Sequence, residues 1–467
     1  MLDKQQESIV RDESDYTLVV AGAGSGKTLT ILGKINYLTH NNIKPEEIIC
    51  ISFTKAASTS LKQKIKETLN LDIPVYTFHK LALNILGNRY MIADSDTLDY
   101  IIDEFFIETE HFENNLVKKL DKKELKNLKT LLSTFIHLFK CNGYGLEDFN
   151  SILKKSKRIF NFNYKKEKKF LILALNIYLK YQKYLMDNDM IDFDDMLILA
   201  NKKVKENYNN KIKYIIIDEY QDTSFIRFNL IKSIIDKTNS KLLVVGDDFQ
   251  SIYRFTGCDI NLFLDFNKYF ENSKIMKIEN TYRNSMELIK IAGSFVMKNK
   301  RQIKKDLKSN KHLKNPIDIV CYKNKDSFLK LLKKVYKEDE ELLVLGRNNN
   351  DLNYYIKDYK KIDDYIYYKD MKFKYMTVHR SKGLESDNVI IINMKDDILG
   401  FPSKIKEENI LKYITKYDKY PFSEERRLFY VGLTRTKNKV YLYTPINNKS
   451  TFVKELIKDY HIKPSMI

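Results

Sequence analysis

The feature of the sequence that most constrains the fold is an apolar run, Leu18 to Val20, that leads directly into a glycine-rich segment. That segment reads Ala21-Gly22-Ala23-Gly24-Ser25-Gly26-Lys27-Thr28. Glycines let backbone N–H groups wrap around phosphates, and a helix that starts there adds the positive end of its dipole. Lys27 is expected to contact the β- and γ-phosphates, and the Thr28 hydroxyl is expected to hold Mg²⁺. The segment therefore predicts a strand, a loop and a helix that bind ATP with Mg²⁺.

A second strand end carries acidic residues. The apolar residues 214–217 are followed at once by Asp218 and Glu219. A Mg²⁺ ion bound to phosphates needs only one or two protein carboxylates, and Asp218 suits that role. Glu219 is then placed to activate the attacking water. Alone, this pair is also typical of a solvated acidic turn. Beside the loop at Lys27, it predicts a site of nucleotide hydrolysis.

Several short apolar runs end in polar turns and predict buried parallel strands. They cover residues 17–21, 48–53, 214–217, 241–245 and 389–393. Such strands, separated by segments with helical spacing, are typical of an α/β sheet whose ligands lie beyond the carboxyl ends of the strands. The candidate functional residues follow these strands, so the fold class and the position of the site are predicted together.

Residues 89–190 differ in character, because they are rich in Lys, Glu, Leu and Phe at helical spacing and show few strand signals. We expect a helical insertion there. The α/β pattern precedes this segment and resumes after it. The predicted organisation is a first α/β domain from residues 1–88 and 191–277, a helical insertion at 89–190, and a second α/β domain at 278–467.

The composition is basic, with Lys+Arg 81 against Asp+Glu 62 and a net charge of +19. That balance suits a polyanionic partner, since binding releases counterions. Lys, Asn, Ile and Tyr are abundant throughout, as an AT-rich genome also predicts, so charge alone does not decide. The lysine-rich segments 118–129 and 154–169 interleave Phe160, Phe162 and Tyr164, which either stack on bases or belong to a solvated helix face.

Cysteine usage and hydropathy exclude some classes of protein. Cys50, Cys141, Cys258 and Cys321 form no CxxC pair, which disfavours a zinc site or a disulfide framework. No apolar run approaches the roughly 20 residues of a membrane helix, and the first residues lack the apolar region of a signal peptide. The expectation is a soluble cytoplasmic protein without a membrane partner.

Further motifs follow one another along nearly the whole chain. They are residues 3–7 (DKQQE), 51–57 (ISFTKAA), 77–81 (TFHKL), 192–197 (DFDDML), 246–255 (GDDFQSIYRF), 278–283 (IENTYR), 375–385 (YMTVHRSKGLE) and 424–435 (EERRLFYVGLTR). In this order, and with Ala21 in place of the usual first glycine of the loop, they resemble the UvrD/Rep/PcrA-type superfamily 1 DNA helicases. The resemblance implies two RecA-like P-loop NTPase domains, the first carrying a helical insertion, with ATP between them.

The resemblance also implies roles at the nucleotide. Gln5 would read adenine, Tyr282 would stack on it, Glu385 would contact the ribose, Gln250 would sense the γ-phosphate, and Arg283 and Arg435 would neutralise that phosphate from the second domain. An arginine finger of this kind is worth about 10³–10⁵ in rate. Two positions depart from the family pattern: Thr281 stands where Asn is usual, and Leu29 stands where several relatives carry Arg. Arg426 is expected to form a structural ion pair rather than to act in catalysis.

Single-stranded DNA is the partner that the resemblance implies. The matching contact residues are Phe53, Thr54, His79, Tyr253, Phe255 and His379. Phe255 stands where the family usually has Trp, a residue that this chain lacks altogether. Base stacking on an aromatic is worth about 1–3 kcal/mol, so Phe can still serve. The alternative is that Tyr253 and Phe255 have a purely structural role as core residues.

One part of the family pattern is missing. UvrD and Rep carry a large helical insertion between a strand like residues 342–346 and the motif at 375–385, whereas here only residues 350–374 join them. The insertion is therefore expected to be absent or vestigial. Contact with a duplex junction would then need another surface or a protein partner that replaces the insertion.

These features favour an ATP-dependent translocase or helicase that steps 3′ to 5′ along single-stranded DNA, a direction implied by the resemblance alone. The alternative is a nucleotide-gated DNA-binding subunit of a larger repair, recombination or phage-defence complex that does not unwind alone. A P-loop enzyme acting on small molecules is a third hypothesis, but it leaves the aromatic motifs without a role.

Overall fold

The computed structural model describes residues 2–87, 89–109, 120–157 and 163–467. Its strands are β1 (Tyr16–Ala21), β2 (Ile48–Ser52), β3 (Val75–Thr77), β4 (Met91–Ile92), β5 (Met190–Ile191), β6 (Tyr214–Ile217), β7 (Lys241–Gly246), β8 (Lys274–Ile278), β9 (Ile317–Tyr322), β10 (Leu342–Gly346), β11 (Lys360–Ile362), β12 (Tyr365–Tyr368), β13 (Met371–Thr377), β14 (Asn388–Ile391), β15 (Val440–Pro445) and β16 (Pro464–Met466). Its helices are α1 (Lys4–Val10), α2 (Lys27–His40), α3 (Lys55–Leu69), α4 (Phe78–Leu86), α5 (Thr97–Thr109), α6 (Lys122–Cys141), α7 (Leu146–Ser156), α8 (Tyr164–Asp187), α9 (Phe193–Glu206), α10 (Phe225–Thr238), α11 (Asn261–Leu264), α12 (Phe266–Tyr269), α13 (Met286–Val296), α14 (Phe328–Val335), α15 (Ser423–Leu433) and α16 (Thr451–Tyr460). Of the residues discussed above, Lys118, Lys119, Phe160 and Phe162 lie outside the described ranges.

The first sheet has the strand order β3-β2-β6-β7-β1-β8, and every pair is parallel. Its central strands are apolar on both faces because helices cover both. Leu18 and Val20 of β1 enter one apolar layer, while Val19 and Ala21 enter the other. The predicted α/β class is confirmed, and the carboxyl ends of β1, β2, β6 and β7 lie along one edge of the sheet.

The second sheet has the order β11-β12-β13-β10-β14-β15-β9-β16. The six strands β13, β10, β14, β15, β9 and β16 are parallel to their neighbours. Strands β11 and β12 add an antiparallel hairpin at the edge, beside β13. Helices α13 and α15 cover one face, while α14 covers the other. The apolar layer under α13 and α15 also takes in Phe249 and Ile252 from the first half of the chain, so the two halves share a packed core.

The connection from β10 to β13 is short. It consists of a 3-10 helix, Asp351–Tyr354, and the hairpin β11–β12. Residues 342–377 are all described, and no α-helix lies among them. The hairpin therefore stands where the sequence predicted only a short connection.

The segment 89–190 is mainly helical, with α5 to α8 packed around Phe135, Phe139 and Phe149. A two-stranded parallel pair, β4 and β5, lies at its two ends. The limits of the three predicted domains remain a prediction. Although α8 has 24 residues, no helix in the described ranges is both long and apolar enough to cross a membrane.

Buried charges fix this helical segment to the first sheet's helices. Lys140 on α6 has a side chain only 1% exposed, and its Nζ donates to Asp192 at 2.5 Å and to Asp195 at 2.7 Å, at the start of α9. His137 Nδ1 lies 2.7 Å from Asp194 Oδ2. Because a buried ammonium is stable only when paired, these contacts orient α6 on α9.

A segment of the second half also reaches the helical insertion. Within this crossing segment, defined as residues 404–417, Ile410, Leu411 and Ile414 are buried in the aromatic core of the insertion. Lys412 pairs with Glu167 on α8 at 3.2 Å. The second half of the chain is thus packed against both parts of the first.

Candidate functional site

The glycine-rich loop follows β1 and ends where α2 begins at Lys27. Gly24 and Gly26 have φ values of 70° and 79°, in the left-handed region that side chains rarely adopt. A Cβ at Gly24 would also lie 2.6 Å from the Cβ of Arg283. Ser25 is buried, and its Oγ has no hydrogen-bond partner among the described residues. The loop thus combines left-handed glycines, a helix start and one buried hydroxyl without a partner, the arrangement that a bound anion would complete.

The acidic pair lies against this loop. Asp218 follows β6, and its backbone N–H donates to the carbonyl of Ile51 at 2.9 Å. Glu219 has a φ of 54°, a turn that directs its carboxylate to Lys27. Lys27 Nζ donates to Glu219 Oε1 at 2.6 Å, while Gln221 Nε2 donates to Oε2 at 2.6 Å. The predicted lysine and the predicted general base are thus direct partners.

Burial and charge set the protonation of this cluster. Burial opposes the charge of Glu219, but the ammonium groups of Lys27 and Lys382 outweigh it and lower the pKa of this carboxyl. For Asp218, burial raises the pKa to about 6, and the neighbouring charge of Glu219 adds to the effect. Burial works against the Lys27 ammonium too, yet Glu219 and Asp218 raise its pKa. Glu219 is accordingly ionised at neutral pH, as a general base must be.

Cations from the second half face the same cluster. The side chain of Arg435, at the end of α15, is buried, and its guanidinium donates to Gln250 Oε1 at 3.2 Å and to the carbonyl of Leu384 at 3.2 Å. Burial, followed by the charge of Arg283, lowers the pKa of Arg435 to about 9. Arg283 Nε donates to Glu385 Oε2 at 2.7 Å. Arg283 therefore lies against Gly24 of the glycine-rich loop, while Arg435 lies near Arg283 and close enough to Glu219 for their charges to interact.

Backbone contacts join the two halves at this loop. Thr281 Oγ1 donates to the carbonyl of Ala23 at 2.7 Å, and the Tyr282 N–H donates to the carbonyl of Gly24 at 3.0 Å. The Tyr282 ring is 62% exposed, and its hydroxyl donates to Asp3 at 2.9 Å. Gln5 Oε1 accepts from the N–H of Glu279 at 2.9 Å. Contacts from residues 3–5 and from residues 279–282 thus meet beside the loop, and these segments belong to the motifs to which the sequence assigns the base.

Four aromatic rings form a continuous line across the two halves. Phe53 and Tyr253 are stacked with centroids 6.2 Å apart. Phe255 lies 6.1 Å from Tyr253 and 5.7 Å from the His379 ring. Tyr253 also donates from its hydroxyl to the His379 carbonyl at 2.9 Å. We call these four residues the aromatic line.

The aromatic line opens into a groove of about 1820 Å³ that Phe255 and His379 line together with part of the crossing segment. Phe255 is 56% exposed, which argues against a purely structural core role. Burial lowers the pKa of His379 to about 4, and the charge of Arg347 adds to this, so the imidazole is neutral at pH 7. His379 therefore offers a ring and a hydrogen bond rather than a charge.

Two predicted DNA residues lie apart from this line. The His79 ring packs edge-on against the exposed Phe193, 5.3 Å away, and burial lowers its pKa to about 4. Thr54 is exposed, and its Oγ1 accepts from the Ala57 N–H at 3.1 Å as the N-cap of α3. A capping role alone accounts for a threonine at this position.

Some residues at the site were not singled out by sequence reasoning. Lys382 Nζ contacts Asp222, donates to the Gln250 carbonyl at 2.8 Å, and lies 5.1 Å from the Tyr253 centroid. Lys305 is fully buried between Asp247 and Asp248. Lys382 stands inside the motif at 375–385, which was a usable signal, whereas nothing local marks Lys305.

Two other assignments become clear from the contacts. Gln6 contacts the loop, since its Nε2 donates to the Ser25 carbonyl at 3.1 Å, whereas Gln5 accepts from the N–H of Glu279. Arg426 makes a two-pronged pair with Glu455, at 2.6 and 2.9 Å, away from the nucleotide loop. That geometry agrees with the structural ion pair that the sequence suggested for Arg426.

Comparisons with known proteins follow the same pattern. A family model described as the UvrD/REP helicase N-terminal domain matches residues 2–271. The ATP-dependent DNA helicase Rep of Buchnera aphidicola subsp. Acyrthosiphon pisum (strain APS) is 33% identical over 352 residues, which are 72% of this chain and 52% of the relative. Rep of Buchnera aphidicola subsp. Schizaphis graminum (strain Sg) is 30% identical over 488 residues, 99% of this chain and 67% of the relative. DNA helicase IV of Escherichia coli (strain K12) is 27% identical over 496 residues, 98% of this chain and 70% of the relative.

The chain thus spans about half the length of the first of these relatives and about two thirds of the other two. The family model nevertheless covers more than half of this chain. The motif order, the two parallel sheets and this match agree, and the chain therefore belongs to the UvrD/REP helicase family, with its two RecA-like domains.

Proposed function

We propose that this chain is an ATP-dependent DNA helicase that uses ATP hydrolysis between its two halves to step 3′ to 5′ along single-stranded DNA. One observation carries the proposal: Arg283 and Arg435 of the second half lie at the loop and acids of the first. The aromatic line spans the same two halves. A change at the phosphates is thereby connected to a change in the grip on DNA.

The nucleotide chemistry follows from the side chains. Lys27 and the loop N–H groups bind the phosphates, Glu219 takes the proton of the attacking water, and the two arginines neutralise the charge that develops on the transferring phosphoryl. Since Lys27 pairs with Glu219 here, a triphosphate has to draw Lys27 toward itself, which frees the carboxylate to act as a base. Gln250 links Arg435 to the segment that carries the aromatic line.

The donor set also fits Mg²⁺. Thr28 supplies a hydroxyl and Asp218 a carboxylate, the hard oxygen ligands that this ion prefers, and the unsatisfied Ser25 hydroxyl lies in the same loop. A Mg²⁺ ion held there would neutralise part of the phosphate charge. The proposed ligands are Thr28 and Asp218.

Stepping requires that the grip alternate between the two halves. Phe53, Tyr253 and Phe255 belong to the first half, whereas His379 belongs to the second. Closure of the cleft around ATP moves His379 relative to the other rings, and opening after hydrolysis reverses that movement. Because each stacked base contributes about 1–3 kcal/mol, a change at one ring is enough to favour one direction of sliding.

ATP hydrolysis measured with and without single-stranded DNA tests the motor. We expect strong stimulation by DNA, and loss of hydrolysis in Lys27→Ala. Lys237→Ala, which changes an exposed lysine on α10, is the matched control and should behave as the unchanged chain. Equal rates with and without DNA would contradict the motor.

The second candidate is a nucleotide-gated DNA-binding subunit of a larger complex. The short hairpin connection between β10 and β13 favours it, because it leaves less protein to engage a duplex. Displacement of a labelled strand from 3′-tailed and 5′-tailed duplexes by the purified chain separates the candidates. Unwinding of the 3′-tailed substrate alone supports the helicase, while DNA-stimulated hydrolysis without any displacement supports the subunit.

A further inference from the structure

The edge hairpin of the second sheet carries an ordered pattern of tyrosines and lysines on one face. Alternation along β11, β12 and β13 places six side chains on that face. They are Lys360, Ile362, Tyr365, Tyr367, Lys372 and Lys374, which we call the tyrosine–lysine grid. The register gives two rows, Lys360–Tyr367–Lys372 and Ile362–Tyr365–Lys374, with both tyrosines in the middle strand.

Contacts within the grid are close. Lys372 Nζ lies 4.5 Å from the Tyr365 centroid and 5.6 Å from the Tyr367 centroid. Lys374 Nζ lies 5.3 Å from the Tyr365 centroid and pairs with Glu341 at 2.5 Å. Tyr367 is 37% exposed and Ile362 is 44% exposed. The grid is therefore an accessible surface of rings with ammonium groups beside them.

Folding of the hairpin does not explain the grid. The opposite face holds the buried side chains Ile366, Met371 and Phe373, which pack into the core under α14. Lysines at a sheet edge hinder edge-to-edge association, which accounts for Lys360 on β11. That argument gives no reason for two outward tyrosines on β12, the strand behind the edge.

The grid is connected to the aromatic line by a short stretch of chain and by one ion pair. Strand β13 ends at Thr377 and leads directly to His379. Four residues separate Lys374 from His379, and the chain turns after Thr377. Asp364, in the turn between β11 and β12, pairs with Arg380 at 3.0 Å and fixes the hairpin beside the groove. One nucleic-acid strand can therefore contact the groove and the grid together.

We propose that the grid is a second contact for unpaired nucleic acid, in which bases stack on Tyr365 and Tyr367 and phosphates pair with Lys360 and Lys372. The inference rests on the proposed function, since it extends the path of the same DNA strand. Aromatic rings with adjacent cations suit a single strand because every base offers a face to stack and each phosphate a charge. The two rings lie on alternate residues, about 7 Å apart, which suits bases that are splayed rather than stacked on each other.

Fluorescence anisotropy with two oligothymidylates tests the grid, one of about 10 nucleotides and one of about 40, within and beyond a single site size. The test variant is Tyr365→Leu/Tyr367→Leu, which keeps apolar bulk but removes the rings. A second variant is Lys360→Gln/Lys372→Gln. We expect each to bind the long strand about tenfold more weakly or worse, and the short strand as the unchanged chain does. The lysine variant should also show a shallower salt dependence.

The matched control changes the same residue types on the other face, with the lysine on β11 and the tyrosine on β12, as Lys361→Gln/Tyr368→Leu. It should leave both affinities unchanged. If grid and control variants bind the long strand equally well while the unchanged chain shows DNA-stimulated ATP hydrolysis, the grid is overturned and the proposed function stands. If the grid variants lose the same affinity for both oligonucleotides, the grid is not a second contact separate from the groove. If the unchanged chain binds neither strand, both proposals fail.

Discussion

Four charged side chains meet in the candidate nucleotide site at the scale of single residues. Asp218 and Glu219 are adjacent and buried, yet their pKa values move in opposite directions because Lys27 and Lys382 lie on the side of Glu219. Because burial raises its pKa, Asp218 binds a proton at a higher pH than an exposed aspartate does, whereas Glu219 stays ionised. Neighbouring carboxyls with divergent pKa values are frequent where one acts as a base and the other binds a ligand.

Stability should therefore depend on pH through Asp218. Its pKa is 3.8 in an unfolded chain and about 6 in the folded one, so the folded state holds the extra proton between these values. As pH rises through this window, the unchanged chain should lose stability relative to Asp218→Asn, by up to about 3 kcal/mol. Below pH 4 that difference should vanish. Unfolding midpoints of both proteins measured from pH 4 to 8 check this, and parallel curves would contradict it.

The arginines at the loop should differ sharply from those elsewhere. Arg283→Lys should lower kcat by about 10³-fold or more, because an ammonium cannot reproduce the fork of a guanidinium on the phosphoryl group. Nucleotide affinity, measured separately by fluorescence titration, should change far less. Arg426→Lys is the control: it weakens the pair with Glu455 and lowers the unfolding midpoint, but kcat should stay within about twofold. Similar losses of kcat in both variants would refute the assignment.

At the scale of elements, buried charge decides how the helical insertion is oriented. Lys140 on α6 serves both Asp192 and Asp195 at the start of α9, and burial raises the pKa of Asp195 to about 6 even beside this lysine. The same helix α9 begins with Phe193, which packs on His79. A change at Lys140 is therefore transmitted to the surface that carries His79.

Lys140→Met should be strongly destabilising, because it leaves two acids facing each other without a counter-charge. Removing one partner of a buried ion pair lowers the free energy of unfolding by about 3–5 kcal/mol. Lys232→Met removes a lysine from an exposed pair with Asp236 on α10 and should cost less than about 1 kcal/mol. Chemical unfolding of both variants compares the two costs. Equal, small losses would show that α6 does not depend on this ion pair.

Local patterns predicted the elements well but not the contacts between them. The predicted strand at residues 17–21 is β1, Tyr16–Ala21, because an apolar run followed by glycines is a local signal. Lys305 and the crossing segment carry no such signal, since each acquires its role only from residues far away in the chain. The roles assigned to the site residues, as distinct from the family, remain predictions.

Considered as a whole, the molecule is held together by contacts that run between its halves. One of them, away from the glycine-rich loop, is the crossing segment, which lines part of the groove and inserts Ile410, Leu411 and Ile414 into the helical insertion. A wall of the groove is thus attached to both halves. Its packing should influence how long DNA stays bound.

Ile414→Ala should reduce the free energy of unfolding by about 2–5 kcal/mol, since it creates a cavity in the core of the insertion. Loosened packing of the crossing segment should also speed the dissociation of a labelled single strand, measured by stopped flow. Lys416→Gln changes a residue of the same segment whose side chain is 60% exposed and which does not line the groove, and it should change both quantities little. If Ile414→Ala is destabilised but DNA dissociates no faster, the packing of the crossing segment does not influence DNA binding.

The absence of tryptophan has an experimental consequence. Phe255 is exposed beside Tyr253 and His379, so Phe255→Trp creates a sole indole chromophore in the middle of the groove. Selective excitation at long wavelength would report quenching by each arriving base, without any dye on protein or oligonucleotide. Progress along the track could then be timed optically, turnover by turnover, in otherwise native material.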